Sequence, residues 1–200
     1  MSQQRRKHAI IYIPGLGDRQ VVGQRLAIST WRRLSVEPML FQMKWADGES
    51  FASKLDSLLT LIDRLTREGK LVSLVGSSAG GSAVINAYAE RRQHIHGVVC
   101  ICGKLRNKDN IWSGTYRQNP AFEQSMIMLA DSTPQLTTKD RQRILSLHPT
   151  SDQSVPVADT KLPGVASKGM PVAGHVSGIA YGLTIGSFGV IRFLRNLPPR

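Results

Sequence analysis

The sequence predicts one α/β domain over residues 1–200, built on a doubly wound, mostly parallel sheet with helices on both faces. Short apolar runs alternate along the chain with segments of helical periodicity, and strands that alternate with helices favour a parallel sheet. No internal repeat, low-complexity tract or linker rich in Pro, Gly or Ser divides the 200 residues. A chain of this length can bury a substantial core in a single domain.

Six apolar runs are predicted as strands. Each is short and is bounded by Gly, Pro or polar residues, as expected for the buried strands of a parallel sheet. The first run ends at Pro14 and the fifth ends just before Pro149. The predicted strands are residues 8–13, 36–43, 71–75, 97–102, 144–148 and 169–173.

Helices are predicted between these strands. The clearest covers residues 51–67, where apolar side chains follow the 3.6-residue period. Ser50 can cap its first turn, and Gly69 lies just beyond its end. The other predicted helices are residues 22–33, 79–92, 120–130 and 177–196.

The segment 176–191 is uncharged and carries Gly178, Gly182 and Gly186 at helical spacing, a pattern also found in membrane helices. It is too short to span a bilayer comfortably and is rich in Gly and Ser, so we predict a buried terminal helix and no transmembrane segment. The basic residues 5–7 lack the apolar segment that a signal peptide requires. The sequence therefore predicts a cytoplasmic protein.

Residues 76–80 read Gly-Ser-Ser-Ala-Gly, a G-x-S-x-G element between the strand 71–75 and the helix 79–92. In this context the pattern is typical of a nucleophile elbow, in which a serine occupies a strained strand-to-helix turn. Glycines stand on both sides because a Cβ would collide with the neighbouring backbone. Ser78 would then lie at a helix N-terminus, where backbone N–H groups favour an oxyanion. The alternative is that Ser78 only caps the helix.

A serine nucleophile needs an imidazole to take its proton and a carboxylate to orient that imidazole. After an elbow of this kind the acid precedes the histidine in the sequence. Asp152 and His175 follow Ser78 in that order, each just beyond a predicted strand, where open α/β sheets place their sites. Asp152 could instead be an Asx-turn residue and His175 a surface histidine. Asp131 and Asp159 are rival acids.

Four segments carry a family resemblance. They are residues 10–18, with Pro14 at a position that is often histidine; the elbow, residues 75–81; Ser151-Asp152-x-x-Val155-Pro156, similar to a D-x-x-V-P loop; and Gly174-His175. Together they resemble the α/β-hydrolase superfamily, specifically its small serine esterases and lipases, and they span residues 9 to about 190. The resemblance implies a minimal α/β-hydrolase-like fold without a large cap. It also implies oxyanion-binding N–H groups at Leu16 and Ala79, and a reaction that needs no cofactor.

The predicted function is hydrolysis of a carboxylic ester or thioester through an acyl-enzyme intermediate. Ser78 would attack the carbonyl carbon, His175 would move the proton, and Asp152 would orient His175. An acyltransferase or peptidase that uses the same triad is an alternative, because the pocket decides which acceptor is used. A non-catalytic basic binding protein that retains the fold is another.

The predicted substrate pocket takes one wall from the insert 104–119, which leaves the carboxyl end of a strand beside the elbow. Trp112 and Tyr116 offer aromatic surface there. The insert is too short to enclose a long acyl chain. We therefore expect a preference for short acyl groups.

The charge of the chain limits which partners the sequence predicts. The chain carries 26 Lys and Arg against 14 Asp and Glu, for a net charge of +12. The excess is six in each half (14 against 8, then 12 against 6), and no nucleic-acid-binding motif accompanies it. We expect a small-molecule acyl substrate, no specific nucleic-acid partner and, at most, weak binding to anionic surfaces.

Cys100 and Cys102 are predicted to pack, reduced, on one face of a strand, and no metal site is predicted.

Overall fold

Six parallel strands form one sheet in the computed structural model, which describes residues 6–17 and 21–199. The strands are β1 (His8–Ile13), β2 (Glu37–Leu40), β3 (Leu71–Ser77), β4 (Ile95–Ile101), β5 (Ile144–His148) and β6 (Ala166–Gly169). Their order across the sheet is β2-β1-β3-β4-β5-β6, and each pair of neighbours is parallel. The chain starts in the interior of the sheet, winds to one edge and then to the other, which confirms the doubly wound architecture.

Helices connect the strands. They are α1 (Val22–Ser29), α2 (Phe51–Arg67), α3 (Gly80–Glu90), α4 (Ser113–Gln118), α5 (Pro120–Ser132), α6 (Thr138–Arg141), α7 (His175–Leu183) and α8 (Ser187–Asn196). Short 3-10 helices cover Thr30–Leu34, Lys108–Asn110, Thr133–Gln135 and Val157–Thr160. The bounds of α2 match the prediction because the Ser50 side chain accepts a hydrogen bond from the Ser53 N–H (3.2 Å), which caps the first turn.

The core has two parts, one on each face of the sheet. Side chains along a strand alternate between faces, so Ile11 and Ile13 of β1 pack against α2, α3 and α5. Ile10 and Tyr12 point the other way and pack with α1, α7 and α8. Helices therefore cover both faces, as the sequence predicts.

The C-terminal region differs from the prediction in two ways. The last strand is Ala166–Gly169 instead of 169–173; Pro171 has no N–H to donate and falls outside the ladder. The predicted helix 177–196 is two helices, α7 and α8, bent by 60° at the break between them. The turn is fixed by the Gly186 N–H, which donates to the Tyr181 carbonyl (2.7 Å).

No single helix in the described ranges is long and apolar enough to cross a membrane, although α7 and α8 taken together meet the length and composition criteria. Two further helices, α4 and α6, are not predicted by the sequence pattern. Both are too short to show an apolar period, and α6 is defined mainly by a capping box, in which Thr137 and Asp140 each bond the other's backbone N–H.

Candidate active site

Ser78 lies on the sharp turn between β3 and α3. Its backbone is left-handed, with φ of +52°, a conformation that is strained for a residue with a Cβ. A Cβ on Gly76 would overlap the Gly80 carbonyl, and a Cβ on Gly80 would overlap the Ile13 carbonyl. The two glycines of the G-x-S-x-G element are therefore required by close backbone approach. Ser78 is not the helix cap: Ala79 occupies that position, and no side chain caps α3.

The structure brings Ser78, His175 and Asp152 into one chain of hydrogen bonds. His175 Nε2 lies 2.9 Å from Ser78 Oγ, and His175 Nδ1 lies 2.7 Å from Asp152 Oδ2. The side chain of Asp152 is fully buried and that of His175 is 14% exposed. Because a carboxylate only accepts, Nδ1 carries the proton that it donates to Asp152, which leaves Nε2 to accept from the serine hydroxyl.

Loop geometry holds the acid and the histidine in place. Asp152 follows β5, and its Oδ1 accepts hydrogen bonds from the N–H groups of Ser154 (2.9 Å) and Val155 (2.8 Å). Asp152 is thus an Asx-turn residue through its Oδ1 and a partner of His175 through its Oδ2. His175 is the first residue of α7, preceded by Gly174 at φ of +91°, whose N–H donates to the Ser151 carbonyl (2.7 Å).

The two rival acids lie elsewhere. Asp159 is buried and accepts hydrogen bonds from Lys104 Nζ (2.6 Å), from Asn110 Nδ2 (2.9 Å) and from Asn107. Burial alone would raise its pKa, but these hydrogen bonds and the Lys104 charge outweigh burial and leave the pKa below its usual value. Asp131 is exposed within α5. Of these three acids, only Asp152 bonds His175.

The two candidate oxyanion donors flank Ser78. Ala79 follows it at the start of α3, and Leu16 belongs to the loop after β1. This loop passes directly against the serine, since a Cβ on Gly15 would lie 2.6 Å from Ser78 Cβ and 3.1 Å from Ser78 Oγ. Neither the Leu16 N–H nor the Ala79 N–H donates to any residue that the structure describes. Both can therefore donate a hydrogen bond to a ligand oxygen.

A cavity of about 590 Å³ opens beside Ser78 and His175, a size suited to a small ligand. Its wall comes mainly from α1 and α7. The other lining residues are Gly15, Leu16, Gly23, Gln24, Ala27, Ser77, Ser154, Val176, Ile179, Ala180, Leu183 and Thr184. The surface is largely aliphatic. Two of its polar side chains are held from behind, since the buried Tyr12 hydroxyl bonds both Ser77 Oγ and Gln24 Oε1, each at 2.7 Å.

The two residues predicted to wall the pocket do not line this cavity. The Trp112 side chain is 70% exposed just before α4. The Tyr116 hydroxyl donates to the Lys108 carbonyl (2.7 Å), and its ring packs on Phe122. Sequence reasoning instead missed the walls formed by α1 and α7. The uncharged segment 176–191 is the sequence signal for these walls, but the same pattern also predicts a buried core helix.

One group of side chains in the described ranges has the donors for a metal ion. Cys102 Sγ, the Asp152 carboxylate and a His175 ring nitrogen lie within 4.8 Å of one another. Burial, followed by the charge of Asp152, raises the pKa of the Cys102 thiol to about 12. A metal would have to displace that proton and the existing bonds of His175.

The position of Cys102 also corrects a prediction. It lies beyond the end of β4 with φ of +50°, and it packs on the face of the sheet opposite to Cys100. The strand alternation that predicted a shared face ends at Ile101.

No protein-family model matches the sequence, and no curated protein matches it. Solved structures do match. Est1E from Butyrivibrio proteoclasticus is 14% identical, with 98% of this chain and 90% of that chain covered and a TM-score of 0.69. A monoacylglycerol lipase from Paleococcus ferrophilus is 15% identical over 95% of this chain and 96% of its own (TM-score 0.62). A serine hydrolase involved in carbazole degradation is 13% identical over 95% and 92% (TM-score 0.64). At such identities the likeness is one of fold.

Proposed function

The chain has the α/β-hydrolase fold, and from that premise we propose that it is a serine hydrolase which cleaves a carboxylic ester or thioester. The observation that carries the proposal is the hydrogen-bonded chain from Ser78 through His175 to Asp152. It begins at Ser78, on the strained turn between β3 and α3, and Ser78 and His175 line the cavity. The nucleophile and the base both line the cavity, within reach of one bound carbonyl, and the acid orients the base from behind.

In the acylation step, Ser78 Oγ attacks the carbonyl carbon while its proton passes to His175 Nε2. The buried Asp152 carboxylate stabilises the imidazolium and keeps Nδ1 protonated. Negative charge develops on the carbonyl oxygen, where the Leu16 and Ala79 N–H groups would donate to it. When the tetrahedral intermediate collapses, the bond to the leaving group breaks. His175 gives its proton to the departing alcohol or thiol, and the acyl group remains on Ser78.

In the deacylation step, water takes the place of the leaving group. His175 Nε2 accepts a proton from the water as its oxygen attacks the acyl carbon, and the same N–H groups hold the second oxyanion. Collapse breaks the bond to Ser78 Oγ, which recovers its proton from His175. A carboxylic acid leaves, and the starting state is restored.

The choice of ester bonds has separate support. The structures with the same fold are described as a monoacylglycerol lipase and a serine hydrolase. The aliphatic cavity wall fits an apolar acyl or alcohol group. Nothing in the proposed cycle requires a redox or metal group.

A fluorophosphonate probe tests the assignment because it modifies only an activated serine. Native protein should be labelled and should hydrolyse a soluble nitrophenyl ester, whereas Ser78→Ala should lose both properties while its thermal unfolding stays near that of native protein. Ser77→Ala is the matched control: Ser77 also lines the cavity but bonds Tyr12 and not His175. Labelling that persists in Ser78→Ala and disappears in Ser77→Ala would contradict the proposal.

A further inference from the structure

The exposed apolar side chains of the protein are concentrated around the mouth of the cavity. Eight large apolar side chains are exposed among the described residues. Six of them lie in the loop after β1, on α1, or in the segment from α7 into α8, and the cavity is lined by residues of that loop, of α1 and of α7. These six, which we call the cavity rim, are Leu16, Val22, Leu26, Val176, Ile185 and Phe188. The other two, Trp112 and Ile127, lie in the insert and on α5.

The rim is continuous with the cavity. Leu16 and Val176 line it directly, while Val22 and Leu26 adjoin lining residues on α1. Ile185 follows the lining residue Thr184 and, with Phe188, faces an adjacent apolar groove of about 630 Å³. Exposed apolar surface gathered in this way is typical of an interaction site, since single exposed residues would be scattered.

Contacts between helices tie the rim segments to one another. The Trp31 indole N–H, just after α1, donates to the Leu183 carbonyl at the end of α7 (2.9 Å). Arg195 of α8 donates to the carbonyls of Leu34 and Ser35. The segments therefore form one packed surface, although more than 130 residues separate α1 from α7 in the sequence.

Cations accompany the apolar side chains of the rim. Arg25 is exposed on α1 between Val22 and Leu26, and Lys168 and Arg192 line the groove next to Phe188. The helices α1, α7 and α8 contain no Asp or Glu. Residues 18–20, outside the described ranges, contain one Asp and one Arg. The described helices of the rim therefore carry charge of one sign.

We propose that the cavity rim docks on an anionic lipid surface. Apolar side chains beside cations, on helices without acidic residues, suit a lipid–water interface. The apolar groups enter the acyl boundary and the cations meet anionic headgroups. Nucleic acid would use the cations but would gain little from Val, Leu and Ile. Docking would place the mouth of the cavity at the lipid surface. The proposal goes beyond ester hydrolysis, because docking does not require reaction at Ser78.

Flotation with vesicles of ether-linked lipids tests docking separately from hydrolysis, since these lipids contain no ester. Native protein should float with vesicles that contain phosphatidylglycerol analogues and remain in solution with pure phosphatidylcholine analogues. Ile185→Ser combined with Phe188→Ser should weaken binding about tenfold or more because two inserted side chains are lost. The matched control is Ile127→Ser on α5, across the sheet, which should bind as native protein does.

A second pair of variants tests the charges. Arg25→Gln and Arg192→Gln should each weaken binding about fivefold and reduce its dependence on salt. Arg67→Gln, an exposed cation on α2 across the sheet, should have no effect. Three results would overturn the proposal. Native protein could bind both lipids equally, or rim and control variants could lose binding equally. Duplex DNA could also displace the protein from vesicles to the same extent with and without the apolar substitutions. Hydrolysis of a soluble ester in all variants reports on the catalytic proposal independently.

Discussion

Ser78 holds a left-handed backbone angle, φ of +52°, which costs about 1–3 kcal/mol for a residue with a Cβ. Its own N–H donates to the Ile101 carbonyl (3.1 Å), and its carbonyl accepts from the N–H groups of Gly81 and Lys104 (3.0 Å each). Those partners belong to β4, to α3 and to the start of the insert. The strained angle is therefore maintained by tertiary hydrogen bonds, which also direct Oγ toward His175.

Asp152 should matter through orientation of His175. Asp152→Asn keeps an oxygen for the backbone bonds but replaces the carboxylate that fixes the Nδ1 proton, so the imidazole can take the unproductive tautomer. We expect kcat on a soluble ester to fall by orders of magnitude, about ten-thousand-fold in a known triad of another fold. Steady-state kinetics together with thermal unfolding measure this, and the melting temperature should change little.

Asp131→Asn is the control for that experiment, because Asp131 is exposed on α5 and has no contact with His175. It should retain native kcat and KM. A loss of turnover in Asp131→Asn with Asp152→Asn unaffected would show that the acid has been assigned to the wrong residue.

The insert 104–119 is fixed to the domain by one buried ionic cluster. Lys104 Nζ and Asp159 Oδ2 are 2.6 Å apart, and their side chains are 5% and 1% exposed. Asn107 and Asn110 donate to the same carboxylate. The Lys104 N–H also bonds the Ser78 carbonyl, so this cluster supports the back of the elbow.

Loss of the Asp159 charge should destabilise the fold. Asp159→Asn leaves the Lys104 ammonium buried without its counter-ion, which costs about 3–5 kcal/mol. Urea unfolding measures the free energy. Asp109→Asn, which breaks an exposed pair with Lys108 in the same insert, should leave the free energy of unfolding nearly unchanged. Similar losses in both variants would mean that burial of the ion pair is not what stabilises the insert.

Local sequence patterns predict the fold correctly where backbone chemistry decides the structure. Gly76 and Gly80 are dictated by close approach within the elbow itself, and strand-end positions placed Asp152 and His175 in loops at the same edge of the sheet. The hydrogen bonds among the three side chains are then consequences of parallel topology, in which strand ends meet.

The cavity walls depend on tertiary contacts, which the spacing of apolar residues along the sequence does not encode. Segment 176–191 is uncharged, which fits burial, yet Val176 and Ile185 are largely exposed beside the cavity. Whether an apolar helix faces the core or a cavity mouth depends on its partners, here α1, more than 130 residues away in the sequence. The position of Trp112 after a strand predicts a place in the pocket wall, but its side chain is exposed and does not line the cavity. Local patterns therefore predict which side chains meet beside Ser78 but not the walls of the cavity.

Histidine burial at the opposite end of the sheet should make global stability depend on pH. His8 is buried at the start of β1, where its Nε2 lies 2.9 Å from Ser73 Oγ. Burial first, then the positive charges of His96 and Arg195, lower its pKa from 6.5 to about 4. Between these values the unfolded chain binds a proton that the folded chain does not, so stability is lost as the pH falls.

From pH 7 to pH 5 this one group should remove about 2 kcal/mol of unfolding free energy. That range lies above the ordinary pKa of Asp and Glu, so carboxyl protonation adds little to the slope. Urea unfolding at several pH values measures it. His8→Gln, which keeps a nitrogen donor for Ser73 but cannot titrate, should flatten the dependence by that amount. An unchanged slope in His8→Gln would mean that the acid sensitivity arises from another group, because only the titration of His8 has been removed.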